Sequence, residues 1–457
     1  MTALRVPFAG ARSGDAPLTW GQRAIWHAIR RTAPNDHYFN LGRVLPLADR
    51  GAPVDLPRLG TALGALMERH EALRTRVVDG PRQQLHAEGA VEVELREAPD
   101  AATAARAAAD LHDELTARRF DYAGEWPVRF GAVHSGGRVT HVVLALCHLA
   151  SDGHGAEVLV RDLRLLARRG TAGPPCTETP HDLAHRQHSP EGRRAGEAAI
   201  AHWADGLAAV APTMFATPVA VPEQPRWWTG RLVSAALPRA VDALAVAHGV
   251  SGSTVLLTAA AALVAASQGH PAAAVMPIAG NRAAAARRSL VSTLSQDALF
   301  VLRLPDAPDA RFTDLLADAW PAALAGYRAA SYDPVAWDAL LERAARERGT
   351  EVHPYCCFND MRLVDRPPTT GPADADTLAR LARRTVLDFP ATQERVACRY
   401  CLHLTGDDST LTVTLTADTA YLPKDAVHAH LRALERVILA SAAGDPPRVA
   451  ELPGALR

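Results

Sequence analysis

The apolar positions of the chain form two successive stretches of mixed helical and strand periodicity, separated by a segment rich in proline and glycine. In the first stretch, residues 18–31 space Trp20, Ile25, Trp26 and Ile29 as one helical stripe, and residues 59–70 do the same with Leu63, Leu66 and Met67. An extended run follows at 73–78. Residues 101–118 are alanine-rich, free of Gly and Pro, and strongly helix-forming. Residues 139–147 (VTHVVLALC) are almost continuously apolar over the length of one strand, the pattern of a strand covered on both faces. Helical spacing returns at 155–168 with Val158, Leu159, Leu163 and Leu166.

The periodicity breaks between 169 and 196, where Gly170, Gly173, Pro174, Pro175, Pro180, Pro190 and Gly192 cluster. This predicts a linker over 173–195 joining a domain at 1–172 to a second at 196–457. The second stretch predicts a strand region at 225–237, helices at 241–248 and 253–267, and a strand at 273–278. Helices at 311–329 and 334–346, paired strands at 395–404 and 411–417, and a last helix at 424–442 complete it. The fold class is α/β. A length of 457 residues exceeds one ordinary core and suits two domains.

Composition is that of a globular protein, with 48% hydrophobic and 22% charged residues. A net charge of −1 gives no electrostatic case for nucleic acid as a partner. No apolar run has the roughly 18–20 residues needed to span a bilayer, and residues 1–12 lack the apolar core of a signal peptide. The expected location is the cytoplasm, with no membrane partner and with the six cysteines reduced. Cys398 and Cys401 form a C-x-x-C. Read on a strand, residues three apart point to opposite faces, so the expectation is structural thiols and no metal site.

The segment that carries candidate chemistry is Cys147-His148-Leu149-Ala150-Ser151-Asp152-Gly153, at the end of the apolar strand. A histidine at a strand end can take a proton from an attacking amine or hydroxyl, or donate a hydrogen bond to developing charge. The alternative reading is a core histidine with Asp152 as a helix N-cap. Gly153 is expected to permit the tight turn. Ser151 and His154 flank the segment and either touch substrate or shape the loop. Cys147, on a buried strand, is a poor nucleophile.

This segment resembles the H-H-x-x-x-D-G motif of condensation domains of nonribosomal peptide synthetases, within the chloramphenicol-acetyltransferase-like superfamily. Other stretches resemble the family's motifs in order. Residues 18–26 (LTWGQRAIW) are similar to its opening S-x-A-Q-x-R-L-W helix, and 69–75 (RHEALRT) match R-H-E-x-L-R-T. Phe120-Asp121 with Pro127 resembles the F-D…P step. His248-Gly249-Val250 resembles the opening of the second lobe. Gly280-Asn281-Arg282 resembles the G-R after a strand, and Val291-Ser292-Thr293-Leu294 resembles V-N-T-L. Two positions depart from the pattern. Cys147 replaces the first motif histidine, and Ser292 replaces the asparagine, with Ser295-Gln296-Asp297 following.

The resemblance implies a pseudo-dimer of two acetyltransferase-like lobes forming a V around a central tunnel. It implies His148 as the catalytic residue and Asp152 paired with an arginine of the second lobe, Arg282. Arg74 is the other arginine that would suit the pairing, or it lines the cleft. Ser292 and Ser295 would line the substrate path with Ser151 and His154. No cofactor is implied. The donor would ride on the phosphopantetheine arm of a separate carrier protein and the nucleophile, free or carrier-bound, would be an amine or hydroxyl. The chain shows no adenylation core and no G-G-x-S carrier signature, so a free-standing enzyme borrowing its donor in trans is expected. The competing expectations are a coenzyme A-dependent acyltransferase, for which the D-F-G-W-G of plant-type members is absent, an epimerisation domain, and a non-catalytic recruitment module. Loss of the motif histidine or glycine would mark the last, and His148 and Gly153 are both present. A cyclisation enzyme would carry aspartate in place of His148.

Overall fold

A computed structural model describes residues 2–47, 53–78, 80–219, 221–362, 373–394, 396, 398–407 and 409–456. Of the residues in the predicted strand pair and its turn, Arg395, Ala397 and Asp408 lie outside the described residues.

The chain folds as two units. The first is Met1–Gly196 with Gly280–Gln296, and the second is Glu197–Ala279 with Asp297–Arg457. The first unit has a five-stranded sheet ordered Thr2–Ala9, Glu88–Glu97, Val128–Ser135, Arg138–Leu146, Leu41–Pro46. All its neighbours are antiparallel except Glu88–Glu97 with Val128–Ser135. Strand Arg138–Leu146 shows why its sequence is apolar throughout. Val142, Leu144 and Leu146 join the core packed by helices Leu56–Arg69 and Gly153–Arg169. Val143 and Ala145, pointing the other way, meet Leu111 and Leu115 of helix Ala101–Ala117.

The expected linker is folded. Residues 173–195 contain helix Pro180–Gln187 and the start of helix Pro190–Ala208, and they belong to the first unit. Pro180 and Pro190 misled the sequence reading because each opens a helix. Proline at the first helical position loses no hydrogen bond and brings a preset φ, and Thr179 caps the first of the two by accepting from the Asp182 amide. Arg12 pairs with Asp182 at 2.9 Å, and Arg287 with Glu178 at 2.9 Å, so this segment is tied down from both sides.

The second unit has its sheet in the order Ala272–Ala279, Cys356–Asp360, Tyr400–Gly406, Leu411–Asp418, Trp227–Ser234, Val386–Gln393, with Phe300–Arg303 also paired to Ala272–Ala279. Helices Leu237–His248, Gly252–Gln268 and Lys424–Ala442 supply its core. The alanine, leucine and valine of Gly252–Gln268 are almost wholly buried, as a helix apolar on all sides requires. Among the described residues, no single helix is long and apolar enough to cross a membrane.

Candidate functional site

Strand Arg138–Leu146 ends, the chain turns through 147–152, and helix Gly153–Arg169 begins. Four separate stretches of the first unit hold this turn. The Cys147 amide donates to the Pro127 carbonyl at 2.9 Å. The Gln22 side chain, from helix Trp20–Thr32, donates through Nε2 to the Leu149 carbonyl at 3.2 Å. Phe120 and Ile29 pack against Cys147 and Leu149. Segment Gly280–Gln296 supplies the rest.

Asp152 is the anchor. Its carboxylate accepts from Arg282 through both oxygens, each at 2.7 Å. It also accepts from the backbone amides of Gly155 at 2.9 Å, Leu294 at 3.0 Å and Ser295 at 3.2 Å. The side chains are 5% and 8% exposed, so this is a buried, bidentate pair. Burial pushes the Asp152 carboxyl up, but Arg282 and the amide donors outweigh it and hold it below the usual range. Asp152 caps helix Gly153–Arg169 and pairs with Arg282 at the same time. Arg282 comes from residues that number with the second half of the chain but pack with the first unit. It is aimed by its own bonds to the Gly280 and Ser292 carbonyls, at 2.9 and 3.0 Å. Asn281 takes a left-handed φ of 53° and donates to the Leu294 carbonyl.

His148 lies in the turn, partly buried. Its Nδ1 is 3.4 Å from the Thr293 hydroxyl, which itself donates to the His148 carbonyl. Among the described residues no protein group is hydrogen-bonded to Nε2. Burial lowers the imidazole pKa, with its own backbone carbonyl and Asp152 opposing. Thr293 is thus a positioning residue that sequence reasoning passed over. Its signal was the threonine of the V-S-T-L match, read only through Ser292. Gly21 belongs to the same arrangement, since a Cβ there would stand 2.4 Å from the Thr293 carbonyl oxygen.

Several expected roles change. Arg74 is not at the site. It is buried elsewhere in the unit, donating to the carbonyls of Arg12 and His86 at 2.8 and 2.6 Å, with Glu71 at 3.7 Å. The surrounding motif is structural too, because Arg69 and His70 both bind Asp162 of helix Gly153–Arg169. Ser151 is fully buried and donates to the Asp152 carbonyl at 2.9 Å, so it shapes the turn and does not line a substrate path. Ser292 is also fully buried, and among the described residues its hydroxyl has no partner. Ser295 serves through its backbone amide, and exposed His154 meets the Arg288 carbonyl at 2.8 Å. Burial raises the Cys147 thiol to about 12, consistent with a poor nucleophile. A cavity of about 20 Å³ beside Cys147 and Leu149 has room for one water and no substrate.

Gly153 does not make the turn. A Cβ there meets nothing within 4 Å, and its φ is ordinary. The constrained glycine is Gly155, whose Cβ would come 2.5 Å from the Ser151 hydroxyl. Gly153→Ala should therefore be neutral or stabilise by about 0.4–1 kcal/mol. Gly155→Ala should displace the Ser151 hydroxyl and cost about 1 kcal/mol. Adding Ser151→Ala first should abolish that cost, and equal penalties in both backgrounds by thermal melting would refute the contact.

The C-x-x-C expectation also changes. Cys398 precedes strand Tyr400–Gly406 and is not on it, so the alternation rule does not separate it from Cys401. The sulfurs of Cys357, Cys398 and Cys401 lie within 4.8 Å of one another in the second unit.

Comparison with known proteins gives consistent matches. The Condensation domain family model matches residues 12–297. The chain is 33% identical over 180 residues, 37% of its length, to a probable non-canonical nonribosomal peptide synthetase, CymA of Salinispora arenicola. It is 29% identical over 269 residues, 55% of its length, to phosphinothricin tripeptide synthetase PhsB of Streptomyces viridochromogenes. The matches span 2% of the first relative and 22% of the second. Among solved structures, the condensation domain of the monacolin K polyketide synthase MokA superposes with a TM-score of 0.72 at 16% identity, covering 96% of this chain and 99% of that one. SgcC5 of Streptomyces globisporus gives 0.65 at 17% identity, covering 94% and 99%. The X-domain bound to OxyB in teicoplanin biosynthesis gives 0.66 at 20% identity, covering 97% of each chain.

Proposed function

The chain belongs to the condensation-domain family, and from that premise we propose that it transfers an acyl, aminoacyl or peptidyl group from a carrier-protein thioester to an amine or hydroxyl. The observation that carries this reading is His148. Its Nδ1 side is occupied by Thr293 and its own carbonyl, Nε2 has no protein partner among the described residues, and burial keeps the ring neutral. A neutral imidazole with a free lone pair is the form a general base needs. Asp152 raises its basicity, but burial is the larger effect, and Arg282 and three amides share the carboxylate's charge.

The nucleophile's nitrogen or oxygen attacks the thioester carbonyl as Nε2 takes its proton. The tetrahedral intermediate then collapses with cleavage of the C–S bond, and the thiolate of the phosphopantetheine arm leaves and recovers that proton. His148 can also hydrogen-bond the developing oxyanion once protonated. That two relatives are named as peptide synthetases supports an amide-forming version of this reaction.

The test compares a panel of acyl and aminoacyl groups presented to the purified chain on a carrier protein or as free coenzyme A thioesters, with transfer followed by intact-protein mass. Carrier-bound donors should turn over faster. Equal or faster turnover of the coenzyme A thioester would overturn the carrier-protein donor. Absence of product from every donor, with tight binding to a synthetase or oxidase, would replace the enzyme by a recruitment module.

A further inference from the structure

Half of the six cysteines of the chain meet at one point of the second unit. Cys357 and Cys401 are paired directly across neighbouring parallel strands Cys356–Asp360 and Tyr400–Gly406. Cys398 enters from the turn just before the second of these. The three sulfurs fall within 4.8 Å of one another. Thiolates about 2.3 Å from a tetrahedral ion stand about 3.8 Å apart, so small side-chain adjustments close the set on one cation.

The surroundings separate this cluster from thiols used as core filler. Strand alternation sends Cys356 into the apolar core, fully buried, and its neighbour Cys357 to the opposite face, where it is half-buried. The residues sharing that face include the polar Asn359, Thr414, Thr416 and His403, with Met276 as the apolar neighbour of Cys357. Asp297 is also close enough to act on Cys398 and Cys401 electrostatically. Among the described residues no arginine or lysine forms an ion pair with it.

We propose that Cys357, Cys398 and Cys401 bind a divalent cation of the zinc(II) class through three thiolates, with the fourth position taken by water. Sulfur ligands select soft or borderline ions over calcium and magnesium. Divalent charge is favoured over copper(I) because three thiolates leave only one net negative charge around a dication in a half-buried place beside Asp297. Binding deprotonates the thiols, so it releases protons and weakens as pH falls. The site lies outside the residues assigned to acyl transfer and does not rest on that assignment.

The experiment uses the full chain, purified with a reductant and stripped with a chelator. One equivalent of cobalt(II) should give an intense thiolate-to-cobalt charge-transfer absorption, removed by one equivalent of zinc(II). Zinc should also slow iodoacetamide alkylation at Cys357, Cys398 and Cys401 selectively, read by peptide mass spectrometry. Loss of a residue that merely supports a ligand already costs about 10–100-fold in affinity. Each of Cys357→Ser, Cys398→Ser and Cys401→Ser should therefore weaken zinc at least about tenfold, while Cys176→Ser leaves it unchanged. Circular dichroism of the stripped variants checks their folding. A wild-type chain with no charge-transfer band and unprotected thiols in excess zinc overturns the site, as do folded serine variants that bind like wild type.

Discussion

Replacing His148 by alanine should lower product formation by about two orders of magnitude or more, the usual range for loss of a general base. The melting temperature should hardly move. Among the described residues the side chain makes one hydrogen bond, at 3.4 Å, while the Thr293 bond to the His148 carbonyl survives the substitution. The pH profile adds a reading that a structural role would not give. Burial depresses the imidazole below its ordinary 6.5, and the active form is the neutral one. The rate should therefore rise with pH through a single ionisation below 6.5 and then level off, most cleanly with a hydroxyl nucleophile. Wild-type turnover in the alanine variant would remove His148 from the chemistry. A pH-independent rate in the intact enzyme would leave it acting by position alone.

Asp152→Ala should instead unfold the region. It removes the acceptor for two Arg282 bonds and three backbone amides and leaves a guanidinium only 8% exposed without its partner. Breaking one side of a buried pair costs about 3–5 kcal/mol, which for a unit of this size lowers melting by about 10 °C. Asp152→Ala with Arg282→Met should recover part of the loss, because the stranded charge goes with it. An Asp152→Ala protein that melts like wild type and has no activity would assign the carboxylate to the reaction.

What the sequence made legible follows physical rules of different reach. Strand Arg138–Leu146 and helix Gly252–Gln268 are apolar on all sides and were readable from composition alone. Strand Glu88–Glu97 alternates Val91 and Val93 inward against charged neighbours, and a period-two count would have found it. Strand Phe300–Arg303, at four residues, is too short for any periodicity. The pairing of Asp152 with Arg282 came through motif resemblance, since a contact across 130 positions leaves no local trace. Thr293 and Gly155 were missed because their importance is a distance to one atom, and no residue-type preference encodes that. The Cys357 contribution to the sulfur cluster was invisible for a related reason. It depends on which strands lie side by side, and on Cys398 stopping short of the strand it was assigned to.

The excursion of Gly280–Gln296 limits how this chain can be rearranged. A chimera spliced near position 196 would inherit an Asp152 from one parent and an Arg282 from the other, together with the Thr293 that seats the histidine. Parents that differ in the spacing between those residues would yield hybrids with a loosened turn, however well each half is formed. Shuffling is better placed to succeed when the crossover piece travels with the front half, as a three-part exchange that keeps the lock and its key in one parental set.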